Sequence, residues 1–184
     1  IENNNNLNKN PGVYNYEENT SSLLGTYVHR LLKSYAENKE IILKQIFHNN
    51  YKKIIFEQLS SIGVSLNNLD YCYALILKVF NNIQNDKQAD FIFKNYEDFA
   101  NEQSYSYINN KSQISTIRID RTFVDSKTNI RWIIDYKITD SLDDFDKLDQ
   151  YRKQLEIYKN VFSHQQNDVN ALIYLPLLSK IILL

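Results

Sequence analysis

Methionine is absent from this sequence, cysteine occurs once, proline twice and glycine three times. Each shortage removes a class of explanation. A lone cysteine, Cys72, leaves no disulfide framework and no Cys-based zinc site. The three glycines, Gly12, Gly25 and Gly63, form no GxxxxGK string, which excludes a phosphate-cradling loop of the NTPase type from this stretch. No apolar run approaches the length of a membrane span and no signal peptide is visible. No membrane partner and a cytoplasmic location are therefore expected. The formal net charge of −1 provides no generally basic surface, so contact with nucleic acid would need a local positive patch. The missing methionine and the start at Ile1 lead to the expectation that the chain is excised from a longer protein.

What is present is ordinary globular material. The chain has 184 residues, of which 43% are hydrophobic and 23% charged, enough for one domain with a real core. Residues 1–18, an asparagine tract followed by Pro11-Gly12, read as a flexible lead-in, and residues 19–184 as one domain. Thr20, Ser21 or Ser22 can cap a helix whose apolar face is Leu24, Tyr27, Val28, Leu31 and Tyr35. Gly25 and His29 share a second face of that helix. A glycine one turn before a histidine lets a backbone or a ligand come close. Alone, His29 is most simply a surface histidine satisfied by water.

The pattern then predicts helix over Ile41–Leu59 with a break near Asn49-Asn50, and an apolar helix over Leu69–Ile83 in which Cys72 is a small core residue. Short helices are expected within Asp86–Phe99. Glu102–Ile108 alternates like a strand, with Glu102 best read as a solvated loop acid. An acidic loop, Ser141–Asp146, precedes a helix from about Lys147 to Phe162, on which Tyr151, Gln154 and Tyr158 form one stripe. Short strands are expected at Val169–Leu175 and Ser179–Leu184, with Pro176 in the turn.

The chemistry concentrates in Ile114–Lys137, two strands joined by the polar turn Asp125–Asn129. Asp120 and Asp135 sit where a buried hairpin should not tolerate acids. Strand alternation puts Asp135 and Lys137 on one face with Tyr136 opposite. On the hairpin alone, a structural Asp135–Lys137 ion pair beside an unrelated Asp120 is the simpler reading. Joined with His29, the set suits another task. Two carboxylates and an imidazole can hold Mg²⁺ or Mn²⁺ with positions left for water and a phosphate oxygen, and a lysine beside them can stabilise developing charge.

Four blocks, in order, resemble the RecB-type branch of the PD-(D/E)xK nucleases, the nuclease domain at the C-terminus of bacterial helicase–nuclease repair enzymes. Gly25-Thr26-Tyr27-Val28-His29 is similar to its G-T-x-x-H helix, Ile119-Asp120-Arg121 to its I-D-R strand and Asp135-Tyr136-Lys137 to its D-Y-K core. Tyr151, Gln154-Leu155 and Tyr158 resemble its Y-x-x-Q-L-x-x-Y helix, and Glu102 is placed near a family glutamate. The sequence departs from the pattern at Ile117, Lys33 and Ile138-Thr139-Asp140.

The resemblance implies an α/β fold. Its centre would be a mixed sheet holding the Ser112–Lys137 hairpin and flanked by helices, a restriction-endonuclease-like core with a helical N-terminal part. It implies His29, Asp120, Asp135 and the Tyr136 carbonyl as ligands to Mg²⁺ or Mn²⁺. Lys137 would be the catalytic lysine, acting with Asp120 and Asp135. Gln154, Tyr158, Tyr151 and Arg121 would contact substrate. The implied activity is metal-dependent hydrolysis of DNA by an exodeoxyribonuclease of recombination and double-strand-break repair. Its implied partners are DNA, a helicase portion of the same parent chain and further repair-complex subunits. The competing expectation is an inactive nuclease-fold module that binds DNA or docks in a complex. A domain with a purely structural ion pair ranks behind both.

Overall fold

The computed structural model describes residues 16–109, 111–141, 145–162 and 168–183. Five helices come first: α1 (Tyr16–Glu37), α2 (Lys39–Phe47), α3 (Tyr51–Ser61), α4 (Leu69–Asn85) and α5 (Lys87–Ile92), with one 3₁₀ turn at Leu66–Asn68. Strands β1 (Phe99–Ile108), β2 (Ile114–Asp125) and β3 (Ile130–Tyr136) follow, then α6 (Phe145–Phe162), β4 (Asp168–Leu175) and β5 (Lys180–Leu183). Because α1 already begins at Tyr16, Thr20–Ser22 lie inside it rather than capping it. Residues 16–18 of the expected lead-in are its first turn, and residues 1–15 lie outside the described residues, as do 142–144 of the acidic loop.

Local chemistry sets several boundaries. Asn38 ends one helix and caps the next, its side chain accepting from Ile41 N at 3.3 Å. Asp86 caps α5 by accepting from Gln88 N at 2.9 Å and also receives the Tyr174 hydroxyl at 3.0 Å. Asp125 accepts from Lys127 N at 3.1 Å, and Asn129, at φ +55°, closes the β2–β3 turn. Left-handed backbone at a turn is well suited to asparagine.

The sheet runs β1-β2-β3-β4-β5. Only β3 and β4 are parallel, with α6 as their crossover, and the other pairs are antiparallel. Period-2 alternation divides the core into two layers. Ile134, Tyr136, Leu172 and Tyr174 pack with α1 and α4, while Ile133, Ala171, Ile173 and Leu175 pack beneath Leu155, Tyr158 and Phe162 of α6. The first layer is held by residues such as Val28, Leu32, Ile76 and Phe80, all fully buried. Truncating Phe80 to alanine would cost about 3–5 kcal/mol.

One level of the sheet breaks the alternation. On β2, Ile119 packs beneath α6, yet Phe123, four residues on, packs in the opposite layer. On β1, Asn101 bonds to Arg121 in the α5 layer, yet Tyr105 meets Phe162 of α6. Strict alternation would put each of these pairs on one face. The shift falls at Glu102 and Asp120. Glu102 has φ +52°, and the β1–β2 ladder skips from Asn101↔Arg121 to Gln103↔Ile119 around it. The other left-handed non-glycine residues described, Ser112, Asn129 and Ser179, all lie in turns. A residue held this way inside a strand costs about 1–3 kcal/mol and is the kind of strain found at functional sites.

Candidate active site

The irregular level of β1 and β2 faces α1 and the end of β3. His29 projects from α1, and its Nδ1 lies 3.2 Å from Asp120 Oδ1 and 3.8 Å from Glu102 Oε1. The other Asp120 oxygen, Oδ2, accepts the Tyr136 backbone N–H at 2.7 Å. That bond replaces a ladder partner where β2–β3 pairing stops at Arg121↔Ile134. Glu102 Oε2 pairs with Arg118 Nε at 2.5 Å, although the Arg118 side chain is 67% exposed.

Asp135 and Lys137 leave β3 on the α6 side, as alternation predicts. The Lys137 ammonium lies 2.8 Å from Asp135 Oδ2 and donates to Gln154 Oε1 at 3.1 Å. Gln154 Nε2 in turn reaches Asp135 Oδ1 at 3.3 Å and also meets the Tyr158 hydroxyl. Tyr158 donates to the Arg118 carbonyl at 3.1 Å. Because helical residues three and seven apart share a stripe, Tyr151 also faces this end, with the Lys137 ammonium 5.0 Å from its ring centroid. His29, Glu102, Arg118, Asp120, Asp135, Lys137, Gln154 and Tyr158 line one cleft of about 380 Å³, and Gly25 is at its wall.

Charge in this cleft is strained. Burial raises the Asp135 carboxyl to about 6, and the nearby Asp120 charge adds to the rise, against the pull of Lys137 and His29. Burial disfavours protonation of His29, but the hydrogen bond and charge of Asp120, with Asp135 and Glu102, outweigh it and hold the imidazole above its ordinary value. Burial likewise raises the Tyr158 hydroxyl.

A family model described as the PD-(D/E)XK nuclease superfamily matches residues 4–180. The chain belongs to the PD-(D/E)XK nuclease superfamily. No curated protein matches the sequence. Within that span, Asp135-Tyr136-Lys137 has the D-x-K spacing that the superfamily's name describes. Asp120 stands one strand earlier, preceded by Ile119 rather than proline. PD-(D/E)XK nucleases use divalent metals, usually Mg²⁺ or Mn²⁺, and the donors present suit them. His29, Glu102 and Asp120 each offer one atom within 4.8 Å of the others, two oxygens and a nitrogen. Two carboxylates at opposed strand positions repel each other unless a cation lies between them.

The structure also corrects the sequence reading of this PD-(D/E)XK site. Glu102 is not a solvated loop acid. Its side chain is only 10% exposed and it lies within the donor group. Arg121 was expected to touch substrate, yet it is fully buried beyond the sheet, donating to the Ile92 and Lys94 carbonyls at 2.8 and 3.0 Å and to Asn101 at 2.7 Å. Gly25 makes no close approach to the sheet, since a Cβ there would meet nothing within 4 Å. As alternation predicts, the Tyr136 ring is buried in the opposite layer, stacked on Phe93, and only its backbone belongs to the site. Asp135 lies outside the three-donor group, tied to Lys137 and Gln154. The signal that could have found Glu102 was the turn at Asn109–Gln113, which fixes a β1–β2 register placing Glu102 across from Asp120.

Proposed function

We propose that this chain is a divalent-metal-dependent nuclease domain that hydrolyses DNA phosphodiester bonds in the cleft between α1, β1–β3 and α6. The observation that carries the reading is the convergence of His29, Glu102 and Asp120 beside the Asp135–Lys137 pair. His29, Glu102 and Asp120 would hold Mg²⁺ or Mn²⁺, with Asp135 and the Tyr136 carbonyl completing the set. Such an ion supplies Lewis-acid charge to a phosphate oxygen and lowers the pKa of water.

The remaining work falls to the chain's own side chains. Lys137, held by Asp135 and Gln154, presents an ammonium that donates to the attacking water and to charge developing on the phosphate. Gln154 fixes both partners, since its amide spans Lys137 and Asp135. Tyr158 sets Gln154 in place, and Tyr151 covers Lys137 and limits its wandering. The ordered blocks support placement in the RecB-type branch, acting in recombination and double-strand-break repair with a helicase portion and further subunits. We read residues 19–184 as its single nuclease domain.

A second reading, an inactive DNA-binding module, is favoured by one feature: Asp135 is ion-paired with Lys137 and stands outside the three-donor group. Cleavage of labelled single-stranded and duplex DNA in Mg²⁺ and Mn²⁺ separates the two. Lys137→Ala is expected to cut cleavage about 10²-fold while Mn²⁺ binding persists. Wild-type cleavage no faster than that of Asp135→Ala would leave the binding module as the account.

A further inference from the structure

Between Glu102 and Asp120 the chain runs out along β1, turns, and returns along β2. None of residues 103–119 is acidic, while Lys111 and Arg118 are basic, in a chain whose net charge is −1. β3 pairs with β2 only from Arg121 to Asp125. The outer half of the β1–β2 hairpin therefore has no β3 alongside it, forming a two-stranded arm rooted at the cleft. Its tip is well built: Asn109 Oδ1 accepts from Lys111 N at 2.9 Å and Gln113 N at 3.1 Å, and Asn109 Nδ2 donates to Ser115 Oγ at 2.8 Å.

The two faces of the arm differ. One lies against α6, where Tyr105 meets the Phe162 ring at 5.0 Å and Ile117 packs in the same cluster. The other carries three cross-strand pairs, Ser104↔Arg118, Ser106↔Thr116 and Ile108↔Ile114, and all six residues are exposed. Ile108 is 75% and Ile114 82% exposed. A paired, uncovered apolar tip beyond a stripe of hydroxyls, with no carboxylate between residues 103 and 119 and at its root an arginine whose Nε pairs with Glu102 while the side chain stays 67% exposed, has the composition of a strand-binding track. Hydroxyls and arginine position phosphates without reading sequence, and an apolar pair can cover the face of a base.

We propose that this uncovered face of the β1–β2 arm holds the sugar–phosphate strand leading to the cleft. Arg118, Ser104, Ser106 and Thr116 contact phosphates, and Ile108 with Ile114 covers a base at the far end, about 13 Å from Ser104 at strand rise. The inference rests on the nuclease reading and adds the path of the substrate.

The test is fluorescence polarisation of a labelled 20-nucleotide single strand, and of the same sequence as a blunt duplex, in Ca²⁺ over a salt series. Two arm variants are used, Ser106→Glu with Thr116→Glu, and Ile108→Ser with Ile114→Ser. A control, Ser60→Glu, lies on the exposed surface of α3. All sites are exposed, and thermal melts check folding of each variant. The acidic pair should weaken binding about tenfold or more, and the tip pair severalfold with an unchanged salt slope, because it removes no phosphate contact. The control should match wild type. Loss on the single strand alone identifies single-stranded substrate as the occupant, and equal loss on both identifies any phosphate strand. Wild-type affinity in both arm variants overturns the arm, even if Asp120→Ala still abolishes cleavage. Failure of wild type to bind either oligonucleotide overturns the arm and the nuclease reading together.

Discussion

Two charged groups share the cleft and are satisfied in different ways. Asp135, Lys137 and Gln154 close on one another: carboxylate meets ammonium, and the amide bridges both. His29, Glu102 and Asp120 are each partnered, Asp120 by His29 and the Tyr136 N–H and Glu102 by Arg118, but they set two carboxylates against one imidazole. Their carboxylates occupy opposed positions of adjacent strands, their main compensation is an imidazole, and Arg118 on Glu102 is a largely exposed, screened partner. Moreover, β1 accepts a left-handed residue in mid-strand at this level. A self-neutralised group can be explained by stability alone. An open, acid-rich group built on strained backbone is what a cation site needs, and it is the feature on which the proposed function rests. Under the proposed function the labour is divided: Lys137 and Gln154 would act on water and phosphate, while His29, Glu102 and Asp120 would hold the cation and Asp135 would join them once it is bound.

Breaking the open group should have the largest effect. Asp120→Ala removes a donor and frees the Tyr136 N–H, and cleavage should fall by at least about 10³-fold together with Mn²⁺ affinity. Cleavage assays paired with Mn²⁺ titration check it. Loss of cleavage with metal affinity intact would mean that the two groups are not divided as described.

Loosening the closed group should do less. Gln154→Ala leaves Lys137 and Asp135 in contact but unguided, and cleavage should drop about 10-fold with Mn²⁺ affinity near wild type. Gln154→Glu, which keeps an acceptor for Lys137 and sets a charge against Asp135, should shift the pH profile rather than merely scale it. A flat response to both changes would show that the bridge is incidental.

The smallest and most diagnostic effect is on the stability of the metal-free protein. The folded Asp135 carboxyl sits at about 6 against an ordinary 3.8, mainly through burial and then through Asp120. A raised folded value means stability fully present below about 3.8 and lost as pH rises through about 6. His29, also raised, adds a loss at higher pH in the same direction. Without metal, Asp135→Asn should therefore be more stable than wild type at pH 8, by on the order of 2 kcal/mol, and the advantage should vanish near pH 4. Denaturant melts at the two pH values measure it. The metal-induced rise in Tm should grow with pH, because the donors must be deprotonated to bind. A variant less stable than wild type at pH 8 would show that Lys137 needs the carboxylate more than burial opposes it.

Much of this was legible in the sequence, and for identifiable reasons. The apolar periodicity of Leu69–Ile83 outlines α4, and the Asp125–Asn129 turn fixes the β2–β3 hairpin. Alternation places Asp135 and Lys137 together and Tyr136 away. Helical spacing puts Gln154 and Tyr158 on one stripe, and the cleft receives both. Glu102 was only half legible: the resemblance places it near a family glutamate, but its approach to Asp120 depends on a left-handed backbone that a glutamate does not advertise. Arg121 misled for a related reason. Its neighbour Asp120 is the point where β2 changes face, so adjacency in sequence to the cleft places Arg121 beneath the sheet, against the Ile92 and Lys94 carbonyls.

The most direct test of the divided cleft is a titration of Mn²⁺ into the metal-free protein by calorimetry, without DNA, for wild type, Glu102→Gln and Lys137→Ala. Glu102→Gln keeps the size of the side chain and removes only its charge. The account predicts that Glu102→Gln weakens Mn²⁺ binding by about tenfold or more while Lys137→Ala binds as wild type does. Unchanged affinity in Glu102→Gln would contradict the claim that the open group is the cation site.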